Sequence, residues 1–189
     1  MSVEEGAKIL FLNGASSAGK STLAKAIQRQ IDEPFWHVSS DQFVDAQMLP
    51  SRRDEGDDFA WSVMRPRFFD AFHGCLPAMA SAGNNLIVDH VIEFESWMND
   101  LVVLLAPYDV FFVGVHCPLA ELERRERERK NRAIGEGRDH LEVVHTFGDY
   151  DYEIDTTTAT PDENAYTLIC AWHERRRPST FQHMFQHIA

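Results

Sequence analysis

Between Gly14 and Ser21 the chain reads G-A-S-S-A-G-K-S, with two glycines bracketing four small residues ahead of a lysine and a hydroxyl. Glycines at that spacing let a backbone curl until its amide hydrogens converge on one point, and a phosphate chain satisfies them. In such a loop the amides of Gly14, Ala15, Ser16, Ser17, Ala18 and Gly19 cradle the phosphates. Lys20 reaches the β and γ oxygens, Ser21 ligates Mg2+, and Thr22 follows in the first helical turn. The expected ligand is ATP with Mg2+, since the guanine-reading pattern N-K-x-D does not occur in the chain.

A phosphate donor needs an acceptor, and acidic residues at strand ends supply the next clue. Asp41 follows Phe35-Trp-His-Val-Ser-Ser40, and Asp89 lies in Leu86-Ile-Val-Asp-His-Val-Ile92. One carboxylate can take the proton of an attacking hydroxyl while the other holds Mg2+, directly or through water. The apolar lead-in before Asp89 gives it the metal role and leaves Asp41 as the base. Taken alone, an aspartate after a strand reads equally well as a turn or N-cap residue. Arg129 and Arg132 stand beside Gly135 and Gly137, where a mobile lid would bring positive charge to the transferring phosphoryl group. Glu121 with Arg125, Glu123 with Arg127, Glu126 with Lys130 and Glu128 with Arg132 have i,i+4 spacing and read as a solvated helix face.

The elements that must carry these residues follow from apolar pattern and breakers. Strands are expected over Lys8–Leu12, Phe35–Ser40, Leu86–Ile92, Asp109–Cys117 and Asp151–Thr156. Helices are expected from Ser21 to Ile31 and from Phe59 to Ala82, the latter interrupted by Pro66 and Pro77. A charged helix from Pro118 ends at Gly135 and Gly137, a short one runs through Val143-Val144-His145, and a last one runs from Pro161 to about Arg175. The middles of the third and fourth strands are almost wholly apolar, as parallel strands covered on both faces should be. The expected fold is α/β: a P-loop NTPase or kinase fold with a doubly wound, five-stranded parallel sheet, helices on both faces and an Arg-rich lid. Residues 1–189 form one domain, with the lid at about 125–140 and the acceptor-binding region at about 42–82.

Composition narrows the function classes. A net charge of -12 argues against a nucleic-acid partner, whose phosphates call for a basic face. Cys75, Cys117 and Cys170 are widely spaced and read as reduced, mostly buried thiols. The start of the chain lacks a basic, apolar leader, and no run is long enough to span a bilayer, so the expected compartment is the cytoplasm. His183 and His187 have helical i,i+4 spacing without an evident third ligand for zinc. His145 reads as a packed or hydrogen-bonded histidine, and Met79, Met98 and Met184 as core filler. The expected partner is a hydroxylated small molecule; the oligomeric state stays open.

Over most of its length the sequence resembles the chloramphenicol phosphotransferase-like P-loop kinases. The resemblance rests on ILFLNGASSAGKSTLA, Asp41, IVDHV, VGVHCPLAELERRE, Arg129 and Arg132, VVH from Val143 to His145, and YDYEIDTT from Tyr150 to Thr157. It implies an ATP-dependent O-phosphotransferase with Asp41 as base, and a segment at Asp155-Thr156 that passes near the adenine. It extends to an antibiotic-inactivating role. Two departures stand out. Lys130-Asn131 replaces a Gly-Asp between the lid arginines, and the region from Pro50 to Phe72 is rich in charge while keeping Phe59, Trp61, Phe68 and Phe69. That composition favours an acceptor of cationic or sugar character over a neutral aromatic amide. Competing readings are a sugar-nucleotide or metabolite kinase similar to zeta toxins or to gluconate and shikimate kinases, and a nucleotide-binding regulatory module that transfers nothing.

Overall fold

The structure is a computed structural model and describes residues 6–50, 57–128 and 135–188. Five strands, β1 (Lys8–Asn13), β2 (Phe35–Ser39), β3 (Asn85–His90), β4 (Asp109–His116) and β5 (Tyr152–Asp155), form one parallel sheet in the order β2-β3-β1-β4-β5. Helices α1 (Lys20–Gln30), α2 (Ser40–Asp45), α3 (Trp61–Ser81), α4 (Glu95–Leu105), α5 (Leu119–Glu128), α6 (Glu136–Leu141), α7 (Pro161–His173) and α8 (Thr180–Ile188) surround it.

Strand period 2 divides the core into two layers. Leu10, Leu12, Ile87, Phe111 and Val113 face α1 and α7, where Leu23, Ile27, Leu168 and Trp172 are buried. Ile9, Phe11, Leu86, Val88 and Phe112 face the other way, onto Phe72 and Leu76 of α3, Leu101 and Leu105 of α4, and Phe181 of α8. Both faces of the sheet are covered, which explains why successive residues of β1 are apolar.

Four expectations need correction. The α3 segment is one continuous helix with Pro66 and Pro77 inside it. Burial of Phe69, Phe72, Leu76 and Ala80 outweighs the intrahelical bonds the prolines cannot make, each proline costing roughly 3 kcal/mol. The short helix lies at Glu136–Leu141, one turn earlier than the Val143–His145 reading; Gly137 falls within it, and 142–145 form turns. The chain does not finish with the helix begun at Pro161: after Pro178 it resumes as α8, whose Phe181 inserts beside Phe11 and Phe112 at ring-centroid distances of 5.8 and 5.1 Å. Of the cysteines, only Cys117 is buried; Cys75 is half-buried and Cys170 exposed. Among the described residues no cluster of three His, Cys, Asp or Glu side chains is placed to hold a metal, His183 and His187 included. No described helix is long and apolar enough to cross a membrane.

Candidate active site

All five strands run the same way, so Asn13, Ser39, His90, His116 and Asp155 end at one edge of the sheet. In α/β sheets this edge is where ligands bind. The Gly14–Gly19 loop leaves β1 there. A side chain at Gly14 would sit 2.4 Å from the Val115 carbonyl oxygen, so only glycine lets β4 approach this closely. Gly19 caps α1 with φ +93, and no side chain caps the helix. The amide hydrogens of the first turn are therefore left for an anion.

Lys20 is buried, and its ammonium donates to the Gly14 and Ala15 carbonyls at 2.7 and 2.9 Å. It lies 3.8 Å from Asp89. Ser21 donates to Asp89 Oδ2 at 2.5 Å, and His37 Nε2 stands 3.5 Å from the same oxygen. Burial alone would raise the Asp89 carboxyl. The His37 imidazole, the Lys20 charge and the Ser21 hydroxyl together outweigh burial and hold it below its ordinary value, so it is ionised at neutral pH. A hydroxyl and a carboxylate side by side at the start of α1 make an oxygen pair suited to a hard divalent cation that takes its other ligands from phosphates and water.

Asp41 lies in the first turn of α2. The N-cap there is Ser39, whose hydroxyl accepts from the Asp41 amide at 3.2 Å in a capping box with Gln42. The Asp41 carboxylate thus is not the cap, and the residue lines a cleft with Ser16, Lys20, Ser21 and Asp89. The same cleft continues over Arg65, Phe69, Glu93 and His140.

A second cavity opens on the other side of the loop. It is lined by Ser17, Gly19, Thr22, Arg124, Arg125, Thr156, Thr157 and Asn164 among others. Arg125 fixes its wall, donating to the Thr156 hydroxyl and carbonyl at 3.1 and 2.8 Å and to the Ser17 carbonyl at 3.4 Å. Ser17 and Gly19 line both cavities, so the loop is the partition between them.

The structure brings together Lys20, Ser21, Asp41 and Asp89 with Ser16, Ser17 and Gly19 in one cleft, and Thr22 and Thr156 in the other. Ala15 and Ala18, within the loop, are buried. Asp155 accepts the Thr157 amide at 2.6 Å and so shapes the turn that carries Thr156. Arg129 and Arg132 lie outside the described residues.

Several residues of the site had no audible sequence signal. His37 is one alternate position of a strand, and Arg65 and Glu93 are 28 residues apart. Arg125 was hidden in the charge run as a surface partner of Glu121. It does pair with Glu121 at 2.8 Å, while its guanidinium also reaches the loop. Glu126 departs from the expected solvated face: it is 3% exposed and accepts the amides of Gly135 and Gly137 at 3.0 and 2.6 Å. Its surroundings seat α6 on the loop, where His140 Nδ1 accepts the Ser16 amide at 3.3 Å. Arg124 matches the solvated reading, pairing with Glu121 and Glu128. His145 bonds the Tyr150 hydroxyl at 2.7 Å and stacks on His116.

Comparison with known proteins agrees with this geometry. The family described as chloramphenicol phosphotransferase-like protein matches residues 7–173. A Mycobacterium tuberculosis H37Rv protein provisionally named an O-phosphotransferase is 32% identical over 197 residues, covering 94% of this chain and 87% of that protein. Among solved structures, the M. tuberculosis APS kinase CysC in complex with AMPPNP and APS superposes with a TM-score of 0.65 at 17% identity, covering 89% of this chain and 99% of that one. The Deinococcus radiodurans tunicamycin resistance protein gives 0.61 at 16% identity, covering 88% and 96%. At these identities the two structures establish the fold alone. On the family match and the curated relative, the chain belongs to the chloramphenicol phosphotransferase-like family of P-loop kinases.

Proposed function

We propose that the protein transfers the γ-phosphoryl group of ATP to a hydroxyl of a small molecule, in the cytoplasm, with Asp41 as general base. The observation that carries this reading is the partition: one loop, whose Ser17 and Gly19 line both sides, separates a cavity at Arg125 and Thr156 from a cleft holding Asp41, Asp89 and Phe69. A module that only binds nucleotide needs the first cavity and has no use for a carboxylate in the second.

The roles follow from position. ATP lies with its adenine end near Thr156 and its phosphates along the Ser16–Ser21 turn, where the open α1 N-terminus faces them. Lys20 leaves the Gly14 and Ala15 carbonyls and turns to the β and γ oxygens. Ser21 and Asp89 would hold Mg2+, which would supply positive charge against the phosphates. The acceptor hydroxyl, placed in the cleft, gives its proton to Asp41 as its oxygen bonds to the γ phosphorus. The bond from that phosphorus to the β,γ-bridging oxygen breaks, and ADP leaves. Arg129 and Arg132 are assigned to the equatorial oxygens of the transferring group. The acceptor class extends to hydroxylated antibiotics, in keeping with the family's description.

The test is mass spectrometry of a hydroxylated acceptor panel, including chloramphenicol, aminoglycosides, macrolides, nucleosides and sugar nucleotides, after incubation with ATP and Mg2+. A phosphoryl mass gain is expected on at least one acceptor, and Asp41→Asn should lower its rate by roughly 100-fold or more while keeping nucleotide affinity. Undiminished turnover in Asp41→Asn would reject the base assignment. ATP binding without transfer to any acceptor would favour the regulatory module.

A further inference from the structure

Beyond the phosphate end of the cleft stand two groups of opposite charge, Arg65 from α3 and Glu93 from the turn after β3. Arg65 Nη2 donates to Glu93 Oε1 at 2.6 Å, and both side chains are about a quarter exposed or less, at 26% and 20%. The guanidinium is also gripped by ring faces: its carbon lies 5.0 Å from the Phe69 centroid, 5.2 Å from Trp97 and 5.7 Å from Phe94. Such a plane, held by an ion pair and three aromatic rings, loses little freedom when it binds something else.

Among the described residues the pair is only half used. The described contacts of Glu93 both fall on Oε1, from Arg65 and from His140 Nε2 at 3.8 Å, and Oε2 takes no hydrogen bond among the described residues. Among the same residues Arg65 makes a hydrogen bond through Nη2 alone. His140 ties this wall to the phosphate loop through its bond from the Ser16 amide. Burial lowers the His140 pKa against the opposing pull of Glu93.

We infer that Arg65 and Glu93 form a specificity pair that binds a second hydroxyl group of the acceptor, so that the acceptor is a polyol or diol without negative charge and not a monohydric alcohol. This rests on the reading of the cleft as the acceptor end. A second hydroxyl donates to Glu93 Oε2, and an oxygen beside it accepts from Arg65, the complement of the two unused groups. Phe69, which lines the cleft, gives the carbon face of such a molecule an apolar surface, and the exposed Phe94 stands beside the Arg65 guanidinium. An anionic acceptor would have to displace Glu93 from Arg65 and stand against its carboxylate, which disfavours phosphorylated or carboxylated molecules.

The experiment compares matched probes on the full chain with ATP and Mg2+: chloramphenicol and methyl α-D-glucopyranoside, each against an analogue with one non-reacting hydroxyl removed, and glucose 6-phosphate as the anion. The expected result is a KM about 10- to 100-fold higher for the analogue, the scale of one hydrogen bond to a charged group. Arg65→Met and the size-preserving Glu93→Gln should raise the diol KM similarly, leave the KM for ATP unchanged, and add little to the loss already seen with the analogue. Equal KM for diol and analogue, preference for the anion, or variants that leave the diol KM untouched would overturn the inference. If no probe is phosphorylated while ATP binds, transfer to these acceptors fails as a reading. Ligand-observed NMR of the same diols on protein loaded with a non-hydrolysable ATP analogue then decides this inference separately. Binding that Arg65→Met abolishes supports it, and no binding to the wild type overturns it.

Discussion

Acidification should loosen the floor of the cleft through His73, and the size of the effect can be worked out. His73 is 3% exposed, and its Nε2 lies 3.0 Å from Nε2 of His90, the residue after Asp89. Phe69, Phe72 and Trp97 pack around the two rings. Burial draws the His73 pKa from 6.5 down to about 4, against Asp100 and Asp70, which pull it up; burial and then the His73 charge hold His90 well below 6.5. A lowered histidine pKa means that the unfolded chain binds the proton more readily. Stability from this group is therefore intact above 6.5 and is lost as pH falls from 6.5 towards about 4. Between pH 7 and pH 5 that loss integrates to about 2 kcal/mol. His73→Gln keeps a donor for His90 and cannot titrate. Urea unfolding at the two pH values should show the wild type losing about 2 kcal/mol more than His73→Gln. Losses equal within about 0.5 kcal/mol would refute the assignment of acid sensitivity to this pair.

Other perturbations probe the loop and its supports. Glu126→Ala strands the Gly135 and Gly137 amides and should cost about 3–5 kcal/mol in chemical unfolding, whereas Glu126→Gln, which keeps an acceptor oxygen, should cost less than half of that. Gly14→Ala places a methyl 2.4 Å from the Val115 oxygen and should lower stability by about 1–3 kcal/mol, with nucleotide affinity falling alongside; an unchanged melting temperature would show that β4 yields freely. Arg125→Ala removes the bonds to Thr156 and Ser17 and should weaken ATP binding about 10-fold by calorimetry with the acceptor KM unaltered.

The sheet was readable because parallel strands buried on both faces leave unbroken apolar runs, and the phosphate loop because its glycines, lysine and serine fall within eight residues at fixed spacing. What escaped was non-local or masked by composition. The spacing of Phe181, Met184, Phe185 and Ile188 is helical, yet three arginines and Pro178 ahead of it look like a chain end. The prolines of α3 look like breaks, since the sequence does not display the sheet surface that makes its helix worth forming. Glu126 and Arg125 sit in a run where every neighbour is charged, and only the fold decides which two of those side chains turn inward. The Arg65–Glu93 pair joins elements separated by β3, so no window along the chain contains it.

These non-local contacts explain how the loop is held before it meets a phosphate. Lys20 spends its donors on the Gly14 and Ala15 carbonyls, Arg125 holds the Ser17 carbonyl, and His140 takes the Ser16 amide. Nucleotide binding must therefore exchange internal hydrogen bonds for bonds to phosphate, and the gain from each is the difference between the two. At Ser16 the bond to be exchanged is the one to His140, whose other ring nitrogen stands 3.8 Å from Glu93, and all three residues line the same cleft.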